Sequence, residues 1–388
     1  MTGKRIPVLW LCGPPGVGKT VVAWEIFTQL SVGGVDAGYV DIDQLGICYP
    51  EQACDPGRHR LKERNLGAVV ANFRAAGARC VVVSGVVDPV RGVDAGRLPS
   101  AVLTMCRLRA GPDELKRRIL SRGGHEAVDD ALREAETLDG SDVADVCVGT
   151  SDAGVAETAR LVRERTGGWP GRDVEGPSAP TEREGGAGPG APVMAATPAG
   201  PGRPSAGARP EAPVLWLCGA AGVGKSAVGF AVYERLRSTG LTAAYIDLDQ
   251  IGFCRPAPAE GNHRVKARNL AALWSAYREA GAQRLVVTGP VEDAATIRLY
   301  ASACGGAAFR LCRLHAGRHE LTRRIMLRGQ GHGWEQPGDP LRGRPAAHLR
   351  QIADRAAAEA EALDRAGLGD VRVDTDGRPV AEIAASLA

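Results

Sequence analysis

Two stretches of the chain read almost alike: VLWLCGPPGVGKT at 8–20 and VLWLCGAAGVGKS at 214–226. In each, a short apolar run that suits a buried strand breaks into G-x-x-x-x-G-K-[ST] and then into a helical pattern. Gly13, Gly16 and Gly18, and again Gly219, Gly222 and Gly224, let the backbone curl so that its N–H groups point inward. The helix N-terminus behind the loop adds partial positive charge, so the segment suits phosphate oxygens. Lys19 and Lys225 are placed to reach the outer phosphates of a nucleotide, and Thr20 and Ser226 to ligate Mg²⁺ beside them.

The likeness continues outward from the loops. GYVDIDQLGIC from Gly38 matches AYIDLDQIGFC from Ala244, and CRLRAGPDELKRRILSRG from Cys106 matches CRLHAGRHELTRRIMLRG from Cys312. HRLKERNL from His59 matches HRVKARNL from His263, and AETLDGSDVADVCVGTSD from Ala135 resembles AEALDRAGLGDVRVDTDG from Ala360. The chain is therefore read as a duplication, with a first domain at 1–166 and a second at 213–388. The second carries an insertion of roughly nineteen residues after Arg328, read as a longer lid. Residues 167–212 are rich in Gly, Pro, Ala and Ser and hold almost no large apolar side chains, which predicts a disordered, flexible linker.

Composition sets outer bounds. Of 388 residues, 44% are hydrophobic and 24% charged, with a formal net charge of +3, which fits an ordinary globular chain. That charge is close to balance and there is no basic run with interleaved aromatics, so neither nucleic acid nor a membrane is expected as partner. The first apolar run is too short for a signal segment or a membrane span, and the location is read as cytoplasmic. Cys12, Cys80, Cys106, Cys147, Cys218 and Cys312 fall in strand-like runs and no CxxC occurs, so they read as small core residues. Trp10 and Trp216, inside the first strand of each domain, read as core.

Strand and helix signals alternate. In the first domain, strands are expected at 7–12, 38–41, 80–84, 101–106 and 145–148, with helices at 19–30, 58–76, 112–122, 131–138 and 155–165. Short, continuous apolar strands between helices predict an α/β fold: two tandem domains, each a five-stranded parallel sheet with helices on both faces.

The end of the second strand carries two aspartates, Asp41 with Asp43 and Asp247 with Asp249. Residues two apart on a strand share a face, and the carboxyl end of such a strand opens onto the ligand crevice. Asp41 and Asp247 are the expected metal partners, and Asp43 and Asp249 the expected bases, with Lys19 and Lys225 beside them in the catalytic set. The alternative is that these aspartates cap the following turn. The third strands, CVVVSG and LVVTGPVED, lack the apolar run closed by Asp-Glu with which AAA-type ATPases polarise water, and no Asn-Lys-x-Asp guanine reader occurs.

With these motifs in hand, both copies resemble the small-molecule kinase branch of P-loop proteins, which includes adenylylsulfate, shikimate and gluconate kinases and chloramphenicol phosphotransferase. The resemblance implies transfer of the ATP γ-phosphate, with Mg²⁺, to the hydroxyl of a small-molecule acceptor. It also implies that Arg118, Arg122, Arg324 and Arg328, on the helix after the fourth strand, close on ATP. The helix before the third strand should meet the acceptor through His59, Lys62 and Asn65, and through His263, Lys266 and Asn269. Leu270, Leu273, Trp274 and Tyr277 define its core stripe. Lys stands where adenylylsulfate kinases have Arg, which removes a bidentate fork and argues against adenylylsulfate itself. His332, Trp334, Arg342 and Arg344 in the insertion are further candidate contacts. Two other readings stand beside a tandem kinase: one active copy paired intramolecularly with a regulatory one, and an ATP-dependent switch or weak ATPase without a small acceptor.

Overall fold

The computed structural model describes residues 5–121, 124–171, 213–257, 261–332 and 339–387. Most of the 167–212 linker, together with Arg122 and Trp334, lies outside the described residues.

The first copy runs β1 (Ile6–Cys12), α1 (Lys19–Val32), β2 (Ala37–Asp41), β3 (Cys48–Tyr49), α2 (His59–Ala75), β4 (Cys80–Ser84), β5 (Ala101–Arg109), α3 (Pro112–Leu120), α4 (Val128–Asp139), β6 (Val146–Gly149) and α5 (Val155–Arg165). The second runs β7 (Val214–Cys218), α6 (Lys225–Ser238), β8 (Ala243–Asp247), β9 (Phe253–Arg255), α7 (His263–Glu279), β10 (Arg284–Thr288), α8 (Ala294–Ala303), β11 (Phe309–His315), α9 (Arg318–Gly329), α10 (Ala346–Ala366), β12 (Val371–Asp374) and α11 (Val380–Ala385). Each copy has its five expected parallel strands, in the orders β6-β5-β1-β4-β2 and β12-β11-β7-β10-β8. The central strand, β1 or β7, is buried on both faces and delivers the glycine loop to the carboxyl edge of the sheet.

Each sheet has six strands rather than five, because the copies exchange an edge. β9 of the second copy pairs antiparallel with β2 of the first, in register Gly38↔Cys254, and β3 of the first pairs antiparallel with β8 of the second, Cys48↔Ala244. An open edge strand invites unwanted pairing, and each copy caps the other's. Helices α2 and α7 pack along the same seam, where Asn72 Nδ2 donates to Asn269 Oδ1 at 2.9 Å and Arg64 pairs with Glu279 at 2.6 Å. Phe73, Leu273 and Tyr277 are fully buried in one apolar cluster that draws on both copies. Each such side chain removed from water contributes about 1.5–3 kcal/mol, so the seam is a core, not a surface contact.

The expected stripe of α7 is buried: Leu270, Leu273, Trp274 and Tyr277 all lie inside, while Arg264 and Arg268 are exposed. Trp10 and Trp216 are core residues, and the ten cysteines are free thiols. The insertion of the second copy is not all lid. It lengthens α10 at its N-terminal end, and Leu341 and Leu349 are buried, with Leu349 packed so closely on Gly329 that an added Cβ would meet its Cδ1 at 2.3 Å. No helix among the described residues is long and apolar enough to cross a membrane.

Candidate functional site

The loop after the central strand has one backbone in both copies. Gly13 and Gly219 both have φ of 137°, and a Cβ there would stand 2.5 Å from the Leu108 carbonyl oxygen or 2.3 Å from that of Leu314. Only glycine fits, by backbone angle and by space. Gly16, Gly18, Gly222 and Gly224 also take positive φ. Lys19 Nζ turns back on its own loop, donating to the carbonyls of Gly13 at 2.6 Å and Pro14 at 3.0 Å, and Lys225 does the same to Gly219 and Ala220 at 2.8 and 3.0 Å. Burial pushes the Lys19 ammonium below its ordinary value, and the strongest opposing influence is the carboxylate of Glu134.

Beside the lysine stand the two aspartates, in different settings. Asp41 ends β2 and accepts from Thr20 Oγ1 at 3.3 Å and Ser84 Oγ at 3.2 Å; Asp247 accepts from Ser226 Oγ at 2.7 Å. Burial, reinforced by the neighbouring Asp43, lifts the Asp41 carboxyl to about 6, and burial with Asp249 lifts Asp247 in the same way. Asp43 and Asp249 are not on the strand at all. Their backbone N–H groups donate to Asp41 Oδ1 at 3.0 Å and Asp247 Oδ1 at 2.9 Å, so the first aspartate caps the turn that carries the second. The capping and functional readings are therefore satisfied together, and it is this turn rather than a shared strand face that brings the two carboxylates side by side.

Lys62 Nζ meets Asp43 Oδ1 at 2.8 Å, and Lys266 Nζ meets Asp249 Oδ1 at 2.7 Å. Both lysines are nearly buried, their stems lying against Gly46 and Gly252, where a Cβ would come within 2.6 and 2.5 Å. The aspartates themselves are about half exposed, at 47% and 49%, and open to the crevice. Burial raises the Asp249 carboxyl, but Lys266 outweighs it and the net direction is down. Lys62 and Lys266, expected at the acceptor, are thus held by the aspartates.

Asn65 and Asn269 depart further from expectation. Both are fully buried, and their amides donate to the carbonyls of Leu45 and Ile251 at 2.7 Å, fastening the aspartate-bearing turn from beneath. They hold the site without facing it. His263 does reach the crevice mouth, with Nδ1 3.1 Å from Tyr300 Oη and Nε2 3.3 Å from Glu292. His59 sits against Gly57, and burial lowers its pKa.

The arginines of α3 and α9 are tied down rather than poised on a lid. Arg118 donates to the carbonyls of Val17 and Thr150 at 3.2 and 2.7 Å and to Thr150 Oγ1 at 3.0 Å; Arg324 makes the same set with Val223 and Thr375 at 2.9, 2.7 and 3.0 Å. Each braces the glycine loop against the end of the last strand, and Glu114 and Glu320 hold them there at 2.6 and 2.7 Å. Arg328 pairs with Asp339 of the insertion at 2.6 Å. Sequence reasoning passed over Ser84, Thr288, Thr150, Thr375, Glu134 and Glu359. The signal for the last four was present, since they recur at matching positions of the two copies.

No curated protein sequence matches the chain. The family model described as AAA domain matches residues 9–139. Among solved structures, the tunicamycin resistance protein of Deinococcus radiodurans is 20% identical over 42% of this chain and 96% of its own, with a TM-score of 0.32. The APS kinase of Mycobacterium tuberculosis is 21% identical over 46% and 96%, TM-score 0.29, and the shikimate kinase of Acinetobacter baumannii 17% over 42% and 93%, TM-score 0.28. The third strand still ends in hydroxyls, Ser84 and Thr288, and the carboxylate beside the loop comes from β2 or β8. Residues 9–139 thus form a P-loop nucleotide-binding domain, and the second copy repeats its loop, its strand order and its polar contacts.

Proposed function

We propose that each copy binds Mg·ATP and transfers the γ-phosphate to the hydroxyl of a small acceptor. One observation carries this: beside each phosphate loop stands a half-exposed carboxylate, Asp43 or Asp249, held by a lysine and open to the crevice. A carboxylate so placed accepts a proton from an attacking alcohol, and at Asp249 the Lys266 ammonium favours the ionised form. Asp41 with Thr20, and Asp247 with Ser226, are hard oxygen pairs of the kind Mg²⁺ takes, and Asp41, buried and raised to about 6, is a carboxylate short of a cation. The metal, when bound, neutralises charge on the phosphates. Lys19 and Lys225, released from their loop carbonyls, supply a second positive charge at the transferred group.

The reciprocal edge exchange favours a second reading, in which one copy's nucleotide state regulates the other. ADP formation from Mg·ATP with and without a panel of hydroxyl-bearing metabolites, for wild type and the Lys19→Ala and Lys225→Ala variants, tests both. Acceptor-dependent ADP supports phosphotransfer, and slow ADP release at one rate across the panel overturns it. Loss of both activities from either single variant supports the regulatory reading.

A further inference from the structure

The seam between the copies is close to two-fold symmetric: the pairing Gly38↔Cys254 is repeated as Ala244↔Cys48, and α2 packs on α7. In the register that aligns His59 with His263, Asn65 matches Asn269 and Asn72 matches Ala276. The contact in which Asn72 Nδ2 donates to Asn269 Oδ1 at 2.9 Å would therefore be repeated by Ala276 against Asn65, and a methyl group has no donor to give. Among the described residues, the Asn65 side chain makes one hydrogen bond, to the carbonyl of Leu45, whereas that of Asn269 makes two. Symmetry is broken at one bond.

That bond leads into the second site. Asn269 is fully buried, and with its Nδ2 given to the Ile251 carbonyl at 2.7 Å, its Oδ1 takes its donor from the first copy. Ile251 lies in the turn that starts at Asp247, where the Asp249 N–H donates to Asp247 Oδ1 at 2.9 Å and the Gln250 N–H to the Asp247 carbonyl at 3.0 Å. Lys266, one turn before Asn269 on α7, meets Asp249 Oδ1 at 2.7 Å. Helix α7 thus grips the aspartate-bearing turn at two points, and one of them is fixed in orientation by Asn72. A buried amide oxygen left without a donor costs more than a made bond gains, so removal of Asn72 frees the Asn269 amide to turn and loosens its hold on Ile251.

We propose that Asn72 is a positioning residue for Asp249, so that the first copy completes the second copy's site while no such bond returns to Asp43. For its effect on rate the inference rests on the phosphotransfer reading, and it gives the dependence between copies a direction and a residue.

The test uses the full chain with Asn72→Ala, which gives position 72 the alanine that its counterpart Ala276 already has. Arg64→Ala serves as control, because it removes the exposed seam pair with Glu279 and leaves the Asn72–Asn269 bond untouched. In the Lys19→Ala background, where only the second copy works, Asn72→Ala should lower kcat for acceptor-dependent ADP formation about tenfold, with KM for ATP within about twofold. In the Lys225→Ala background it should leave kcat within about twofold, and Arg64→Ala should do so in both. An unchanged kcat in the second copy, an equal loss in both copies, or the same loss from Arg64→Ala overturns the proposal, the last two by showing that the seam as a whole has loosened. If no acceptor stimulates ADP formation, the phosphotransfer reading fails, and the positioning claim is read from amide hydrogen exchange instead. Asn72→Ala should then speed exchange at the Asp249 amide about tenfold and leave that of Asp43 unchanged. Unaltered exchange at Asp249, or an equal change at Asp43, overturns it.

Discussion

The two copies agree around the phosphate loop and the turn beside it, and differ at the mouth of the crevice. Lys19 and Lys225, Arg118 and Arg324, Lys62 and Lys266, and Asn65 and Asn269 make matching contacts, atom for atom. At the crevice mouth the match ends. His263 is held between Tyr300 on α8 and Glu292, whereas the first copy has no helix there, only a short turn at Ala95–Arg97 capped by Asp94. Arg58 of the first copy, in left-handed backbone at φ 58° and stacked on Tyr49 at 3.8 Å, is replaced by Asn262. On the phosphotransfer reading proposed above, the donor half has been kept after duplication and the acceptor half has drifted, which is the pattern of one reaction with two acceptors, or of one copy regulating the other.

The sharpest way to break that pairing is at the loop. Lys19→Ala and Lys225→Ala should each lower phosphotransfer by their own copy on the order of 100–1,000-fold, by loss of a charge aimed at the transferred group. Titration with ATP should then show one site in place of two. Equal damage to both sites from a single substitution would mean that the copies work as one unit.

The seam comes next. Phe253 lies on Trp24 at 4.9 Å and Tyr39 at 5.8 Å, so a side chain of the second copy rests on the loop helix of the first. Phe253→Ala should cost about 3 kcal/mol, and Ile47→Ala, its counterpart across the seam, about 1–2 kcal/mol, read from denaturant midpoints. One cooperative transition shared by both copies is expected, and two separate transitions would contradict a continuous core.

How much of this was legible is itself uneven. The repeat, the parallel strands and the loop follow from register, because a motif that recurs with its flanking strand and helix leaves little freedom. The exchanged edges were not legible: Cys48–Tyr49 and Phe253–Arg255 are two and three residues long, too short to show an alternating period. Asn65 and Asn269 misled because the family resemblance places them at the acceptor, although a helical wheel sets Asn269 beside the core stripe. What buries them is the turn at Ile42–Gly46 and its counterpart folding over the helix, and a backbone carbonyl that needs a donor leaves no mark in the sequence. The arginines misled in the opposite sense, since a charged helix face reads alike whether its side chains wait for ligand or brace a loop.

A smaller effect separates chemistry from stability. Asp41 has its carboxyl raised from 3.8 to about 6, so the folded state binds a proton more readily than the unfolded one. Without metal, Asp41 should therefore cost the folded state nothing below about pH 4 and destabilise it increasingly as pH rises through about 6. Asp41→Asn removes the buried charge and should stabilise the metal-free protein at pH 8 by on the order of 2 kcal/mol, a gain that vanishes below about pH 4. It should abolish transfer by the first copy. Thermal unfolding in chelator at the two pH values checks the sign, and a variant that is less stable at pH 8 would refute it.

The smallest predicted effect bears most directly on the divergence. Tyr300→Phe deletes the hydroxyl that lies 3.1 Å from His263 Nδ1 and leaves the ring in place against Trp216. One hydrogen bond is worth about 1 kcal/mol, so KM for the second copy's acceptor should rise about fivefold with kcat unchanged. Measured in the Lys19→Ala background, where only the second copy works, the rise should appear in full. In the Lys225→Ala background it should be absent, because the first copy has only the Ala95–Arg97 turn where α8 would be. Should it appear there too, the crevice mouth of one copy is felt across the exchanged strands by the other, and the drift of the acceptor half is the mark of regulation rather than of a second substrate.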